Sequence, residues 1–254
     1  MSGFGVFLGK ELQEIRRTWR IWVIPGLTIF FAITGPVIAL LTPVLMESLA
    51  GSQPGVVVQL PTPTAREAFG QFLKSMSQIV MIALVITGAG AISGERSSGT
   101  AILVLTKPLS RRSFVLAKLV SQQVLLIAST IVGVAVTIGV TAALFDNLPI
   151  RDFVTATGIW LASAMMFLGV MVLCSVTFRA RGAAAGAGLA VLFGTLILSI
   201  WPPLNRWTFV GLTGASGAAL SGREVAVLWP LVTAGLMLVL VTVAAIRIFE
   251  QKEL

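Results

Sequence analysis

The chain has 254 residues, 56% of them hydrophobic and 11% charged, with a mean hydropathy of +0.97. A soluble domain carries roughly 25% charged residues, so this composition excludes a water-soluble fold and makes lipid the solvent. Histidine and tyrosine are absent and Cys174 is the single cysteine, which excludes an internal disulfide, a Cys/His metal site and any triad built on an imidazole base. The net charge of +8 requires no nucleic acid; it reads as the leaflet-facing charge of a membrane protein.

In chain order, residues 4–19 come first. Phe4, Leu8, Leu12, Ile15 and Trp19 recur at helical spacing, with Lys10, Gln13, Glu14, Arg16, Arg17 and Arg20 on the remaining surface. This pattern predicts an amphipathic helix lying in the headgroup plane. Residues 1–20 hold charges and no apolar core, so the next hydrophobic stretch reads as a retained span rather than a secretory signal.

Uncharged gaps then define the spans, at 21–46, 75–94, 119–145, 153–178, 182–205 and 225–246. Each has at least the roughly 20 residues needed to cross a hydrocarbon core of about 30 Å. Lipid satisfies no free backbone group, so the gaps are helices. The fold expected is all-α, one domain of six transmembrane helices over 1–254. The gap at 182–205 is the weakest, because it is rich in glycine and ends on Trp201-Pro202-Pro203.

Between spans one and two, Thr64-Ala65-Arg66-Glu67 has the form of a capping box, which predicts a helix from Ala65 that runs into span two. With the N-terminus inside, cytoplasmic segments hold thirteen Lys and Arg residues and outer segments five. Both termini are therefore expected in the cytoplasm of a multi-pass protein of the cell membrane. Trp19 and Trp22 would mark the inner interface, and Trp201, Trp207 and Trp229 the outer one. The loop 206–224 is expected to fold as short elements over the outer mouth.

The inner loop 95–118 holds six charges, each of which would cost about 2.5–3.5 kcal/mol at mid-bilayer, so it faces the cytosol. Its apolar run Ile102-Leu103-Val104-Leu105, begun by Ser97-Ser98 and stopped by Pro108, predicts a short helix parallel to the membrane.

Two motifs resemble chemistry and fail. Gly94 and Gly99 have the spacing of a phosphate-binding loop, but Thr100 stands where lysine belongs and no strand precedes it. Gly214-Ala215-Ser216-Gly217 is similar to the nucleophile motif of rhomboid proteases, which need a histidine base that this chain lacks. No catalytic, cofactor-binding or metal residue is assigned. The six gaps also contain no carboxylate, histidine or lysine for ion coupling, so uphill transport would draw on an external energy source.

That inner loop carries a resemblance. Glu95-Arg96-x-x-Gly99-Thr100, then Leu105, Pro108 and Arg111, resembles the signature of permease subunits of type-2 ATP-binding-cassette exporters. Lys10-Glu11-Leu12 is similar to the "K-E-L" of their N-terminal elbow helix. The resemblance implies an elbow helix containing Phe4, Leu8, Lys10, Glu11, Leu12 and Ile15. It also implies a cytoplasmic coupling helix between spans two and three. The residues implied to meet an ATPase are Glu95, Arg96, Ser97, Gly99, Thr100, Leu103, Lys107, Pro108 and Arg111. Further implications are a cytoplasmic ABC ATPase in two copies, carrying the ATP and Mg, and a second permease as homo- or heterodimer. The function expected is export of a hydrophobic or amphipathic compound. The alternatives are a permease for copper-enzyme maturation or lipid-linked sugars, and a non-transport membrane scaffold.

Overall fold

The computed structural model describes residues 3–50, 62–99, 110–223 and 225–252. These residues are helical and contain no strand. The first helix, α1 (Gly3–Arg17), ends where Thr18 turns back, its hydroxyl donating to the Ile15 carbonyl. The chain then enters α2 (Arg20–Ala50), which carries Pro25, Pro36 and Pro43 inside it. Each proline removes a backbone donor, a loss tolerated in lipid when side chains and neighbours compensate. Thr28, Thr34 and Thr42 bond their i−4 carbonyls along the same helix.

The capping box is present: Glu67 N donates to Thr64 Oγ1 at 3.3 Å, and Thr64 N donates to the Glu67 carboxylate at 3.1 Å. From it α3 (Ala65–Ser75) runs through a π-helical turn (Met76–Val80) into α4 (Met81–Ser97) without a break. Ser110 caps α5 (Arg111–Leu144), and α6 (Ile150–Thr177) follows. The span expected at 182–205 is shorter: α7 (Arg181–Leu198) ends seven residues early, because Pro202 opens a new helix, α8 (Pro202–Trp207). A 3₁₀ turn (Phe209–Gly211), α9 (Leu212–Leu220) and α10 (Leu228–Gln251) complete the chain.

Six of these stretches are long and apolar enough to span a bilayer. Phe209–Leu220 is apolar too, but 12 residues rise only about 18 Å. It folds back onto α6, where Ser216 Oγ donates to the Ala156 carbonyl at 3.0 Å. At its start a Cβ on Gly211 would lie 1.9 Å from the Asn205 carbonyl oxygen, so only glycine fits.

The core sits on two of the spans. The most apolar window of Ala65–Ser97 is 72% buried and that of Ile150–Thr177 is 78% buried, against 17–33% for the other four. Phe69 stacks on Phe153 at 4.1 Å, and Met171 lies between Gly88 and Gly188. A Cβ would stand 2.9 Å from Met171 at Gly88 and 2.2 Å at Gly188, so small residues let these helices approach. Gly182 and Gly186 face open space instead. The small-residue contact within the chain runs two residues on, through Ala184 and Gly188.

Candidate coupling site at the elbow end

At the end of the bundle that carries α1, the loop between α4 and α5 is rooted in a buried charge cluster. Lys118, on the second turn of α5, is 1% exposed. Its Nζ lies 2.6 Å from Glu11 Oε2 of α1 and donates to Glu95 Oε1 at the end of α4. One ammonium thus joins three helices. Lys10 bonds Glu14 and approaches Glu11 at 3.2 Å. Burial pulls the Lys10 ammonium down, but the Glu14 hydrogen bond and the charges of Glu11, Glu14 and Glu95 outweigh it, and its pKa lies above the ordinary lysine value. A cavity of about 20 Å³ bounded by Glu11, Lys118, Thr87 and Gln122 adjoins the cluster and has room for about one water.

Beneath the charges lies an aromatic stack. Phe7 of α1 packs on Phe114 of α5 at 5.5 Å, and Phe114 stacks on Phe249 of α10 at 5.3 Å. Phe4 and Leu8 close over it and Ile15 is buried beside Ile24 and Leu125, so these residues form the packing face the sequence predicts, with Leu12 half-buried. That face is centred on Phe7, Glu11 and Ile15. Trp19, expected on it, is 58% exposed because α1 ends at Arg17.

Arg96 and Arg111 are both turned toward helix ends of their own chain. Arg96 Nη1 donates to the Val176 carbonyl at 3.0 Å, and Lys252 Nζ reaches the same oxygen at 2.9 Å and that of Thr177. Arg111 Nη1 donates to the carbonyls of Phe249, Glu250 and Lys252, and Arg112 pairs with Glu250 at 2.6 Å. The last carbonyls of a helix have no partner within it and carry partial negative charge, so cations there satisfy both needs. Burial and the nearby Arg96 hold the Lys252 ammonium below the ordinary lysine value. Ser175 completes the α4–α6 joint: its Oγ accepts from Ile92 N and Ser93 N at 2.9 Å and donates to the Ala89 carbonyl.

The chain leaves α4 at a defined angle. Ser97 Oγ bonds the Gly94 carbonyl, Ser98 caps the helix, and Gly99 follows with φ +73°. A glycine in this left-handed position is the common end of a helix. A Cβ at Gly99 would meet nothing within 4 Å, so conformation, not close approach, requires glycine here. Thr100, Leu103, Lys107 and Pro108 lie outside the described residues. Of the residues assigned from the sequence, the fold brings Glu11, Glu95, Arg96 and Arg111 to one end, with Ser97 and Gly99 at the exit. Sequence reading missed Lys118, Phe7 and Ser175. Glu11 was the available signal, since a carboxylate four residues from both Phe7 and Ile15 sits mid-face on a buried stripe.

Comparison with known proteins gives two findings. Residues 6–205 match the family profile described as ABC-2 family transporter protein. The uncharacterized transmembrane protein YxlG of Bacillus subtilis (strain 168) is 20% identical over 201 residues, covering 79% of this chain and 78% of YxlG. The profile spans most of α1, the charge cluster, the connection between α4 and α5 and five of the six spans. The chain therefore belongs to the ABC-2 family of transporter proteins, as a multi-pass membrane component.

Proposed function

We propose that the chain is the membrane permease subunit of an ATP-driven exporter of a hydrophobic or amphipathic compound, driven through residues 95–112 by a separate ATPase. The permeases would work in pairs above two ATPase subunits, with both termini of each chain in the cytoplasm. The observation that carries this reading is the rooting of the loop. Glu95 is tied to Lys118 and Glu11, Arg96 to the end of α6, and Arg111 to the end of α10. A push on the loop is then delivered to α1, α4, α5, α6 and α10 together, rather than dissipated in a free linker. Lys and Arg bias supports a cytoplasmic loop.

Co-purification tests it. The tagged permease, purified from its native cells, is expected to retain a nucleotide-binding ABC ATPase. Gly99→Trp forces a bulky side chain into a left-handed backbone at the exit and is expected to reduce capture at least tenfold. Equal capture by the Gly99→Trp chain, or no capture by the parent chain, would reject the reading.

A further inference from the structure

The π-helical turn reshapes the far half of span two. Its i+5 bond, from Met81 N to the Met76 carbonyl, rotates the helix by an extra residue and leaves Ser77, Gln78 and Ile79 exposed in succession. Such turns are rare and recur at functional sites. Beside it opens a cavity of about 410 Å³ between the α3–α4 span, α6, α7 and α9, within the range of small-molecule sites. One wall is apolar, made by Leu192, Phe193 and Leu196 of α7. The other presents Lys74, Ser77, Gln78 and Trp160.

Trp160 is decisive. It is 3% exposed, and its Nε1–H has no acceptor among the described residues. A buried indole N–H ordinarily finds a partner. Indole can only donate, and an ammonium can only donate. Lys74 and Gln78 line the same cavity and are exposed. The polar wall is thus rich in donors with one positive charge, and it faces an apolar wall. Its complement is a molecule with an acceptor-rich anionic head and a hydrocarbon tail.

We infer that this cavity binds an amphipathic anion, its phosphate, sulfonate or carboxylate head held by Lys74 and Trp160 and its tail laid on Leu192, Phe193 and Leu196. This deepens the permease reading and rests on it for calling the occupant cargo. The same chemistry is offered by an anionic phospholipid of the bilayer.

The test uses the full chain in phosphatidylcholine nanodiscs, without ATPase, and dodecyl phosphate as probe, titrated by calorimetry. One saturable site per chain is expected. Dodecyltrimethylammonium and inorganic phosphate should bind at least tenfold more weakly. Lys74→Gln and Trp160→Phe should each raise the Kd at least fivefold with melting temperature unchanged, and Lys74→Arg should restore binding. An unchanged Kd in Lys74→Gln, or equal binding of the cationic amphiphile, would overturn the inference. Adding phosphatidylglycerol to the nanodisc separates the sources. Displacement of the probe assigns the site to bilayer lipid, and retention assigns it to cargo; either result supports the anion-binding chemistry. Because no ATPase is present, a failure here leaves ATPase capture as the independent test of the permease reading.

Discussion

Replacing Lys118 by methionine keeps the chain length and removes the charge that joins Glu11 to Glu95. The Lys118 and Glu11 side chains are 2% and 3% exposed and that of Glu95 is 15% exposed, so solvent screens little of the interaction. The two carboxylates would be left in one pocket with Lys10 as the remaining nearby cation. Breaking a buried pair by removing one partner costs about 3–5 kcal/mol, two to three and a half decades in an equilibrium constant. Equilibrium unfolding in mixed micelles should show a loss of that size for Lys118→Met. Adding Glu11→Gln and Glu95→Gln should recover most of it, because neutral polar groups no longer oppose burial. The triple variant should nonetheless show reduced transport in the complex, since the electrostatic tie between α1, α4 and α5 is gone. A loss below about 1 kcal/mol for Lys118→Met, or no recovery in the triple variant, would refute the assignment of the cluster as a structural root.

Other expectations follow from single sites. Gly211→Ala places a Cβ 1.9 Å from a backbone oxygen and should destabilise by about 1–3 kcal/mol, read by the same unfolding assay. Thr64→Ala removes the capping-box hydroxyl and should cost about 1 kcal/mol, seen as faster amide exchange at 67–70. Gly99→Ala should weaken ATPase capture more than Gly99→Asn, because asparagine tolerates φ near +70°. Ser175→Ala should cost about 0.6 kcal/mol, the typical value of an interhelical hydrogen bond in a membrane.

The six spans were legible because lipid penalises charge, so the gaps between charges mark the helices with little interference from tertiary context. The Thr64–Glu67 cap was legible for a similar reason, being decided within four residues. Register was harder to read. Lys118 looked like a loop boundary charge, and only the arrival of Glu11 and Glu95 from distant segments makes it central. On α7 the packing face is set by Met171, which lies against Gly188, and glycine spacing alone does not mark that face. The π turn at Met76–Val80 has no hydropathy signature, so the cavity that contains Lys74 and Trp160 could not be drawn from the sequence. The bonds of Arg96 and Arg111 were not legible either, because the helix ends they satisfy lie about 80 and 138 residues away in the chain.

The central claim is that the rooted loop faces the cytosol and meets an ATPase there. In a chain made cysteine-free by Cys174→Ser, Ser97→Cys places one thiol at the exposed exit of α4. Membrane-impermeant maleimide is then applied to right-side-out and inside-out vesicles, with and without the ATPase. Labelling is expected only in inside-out vesicles and should be blocked by bound ATPase. Labelling from the outer face, or labelling indifferent to the ATPase, would contradict the claim.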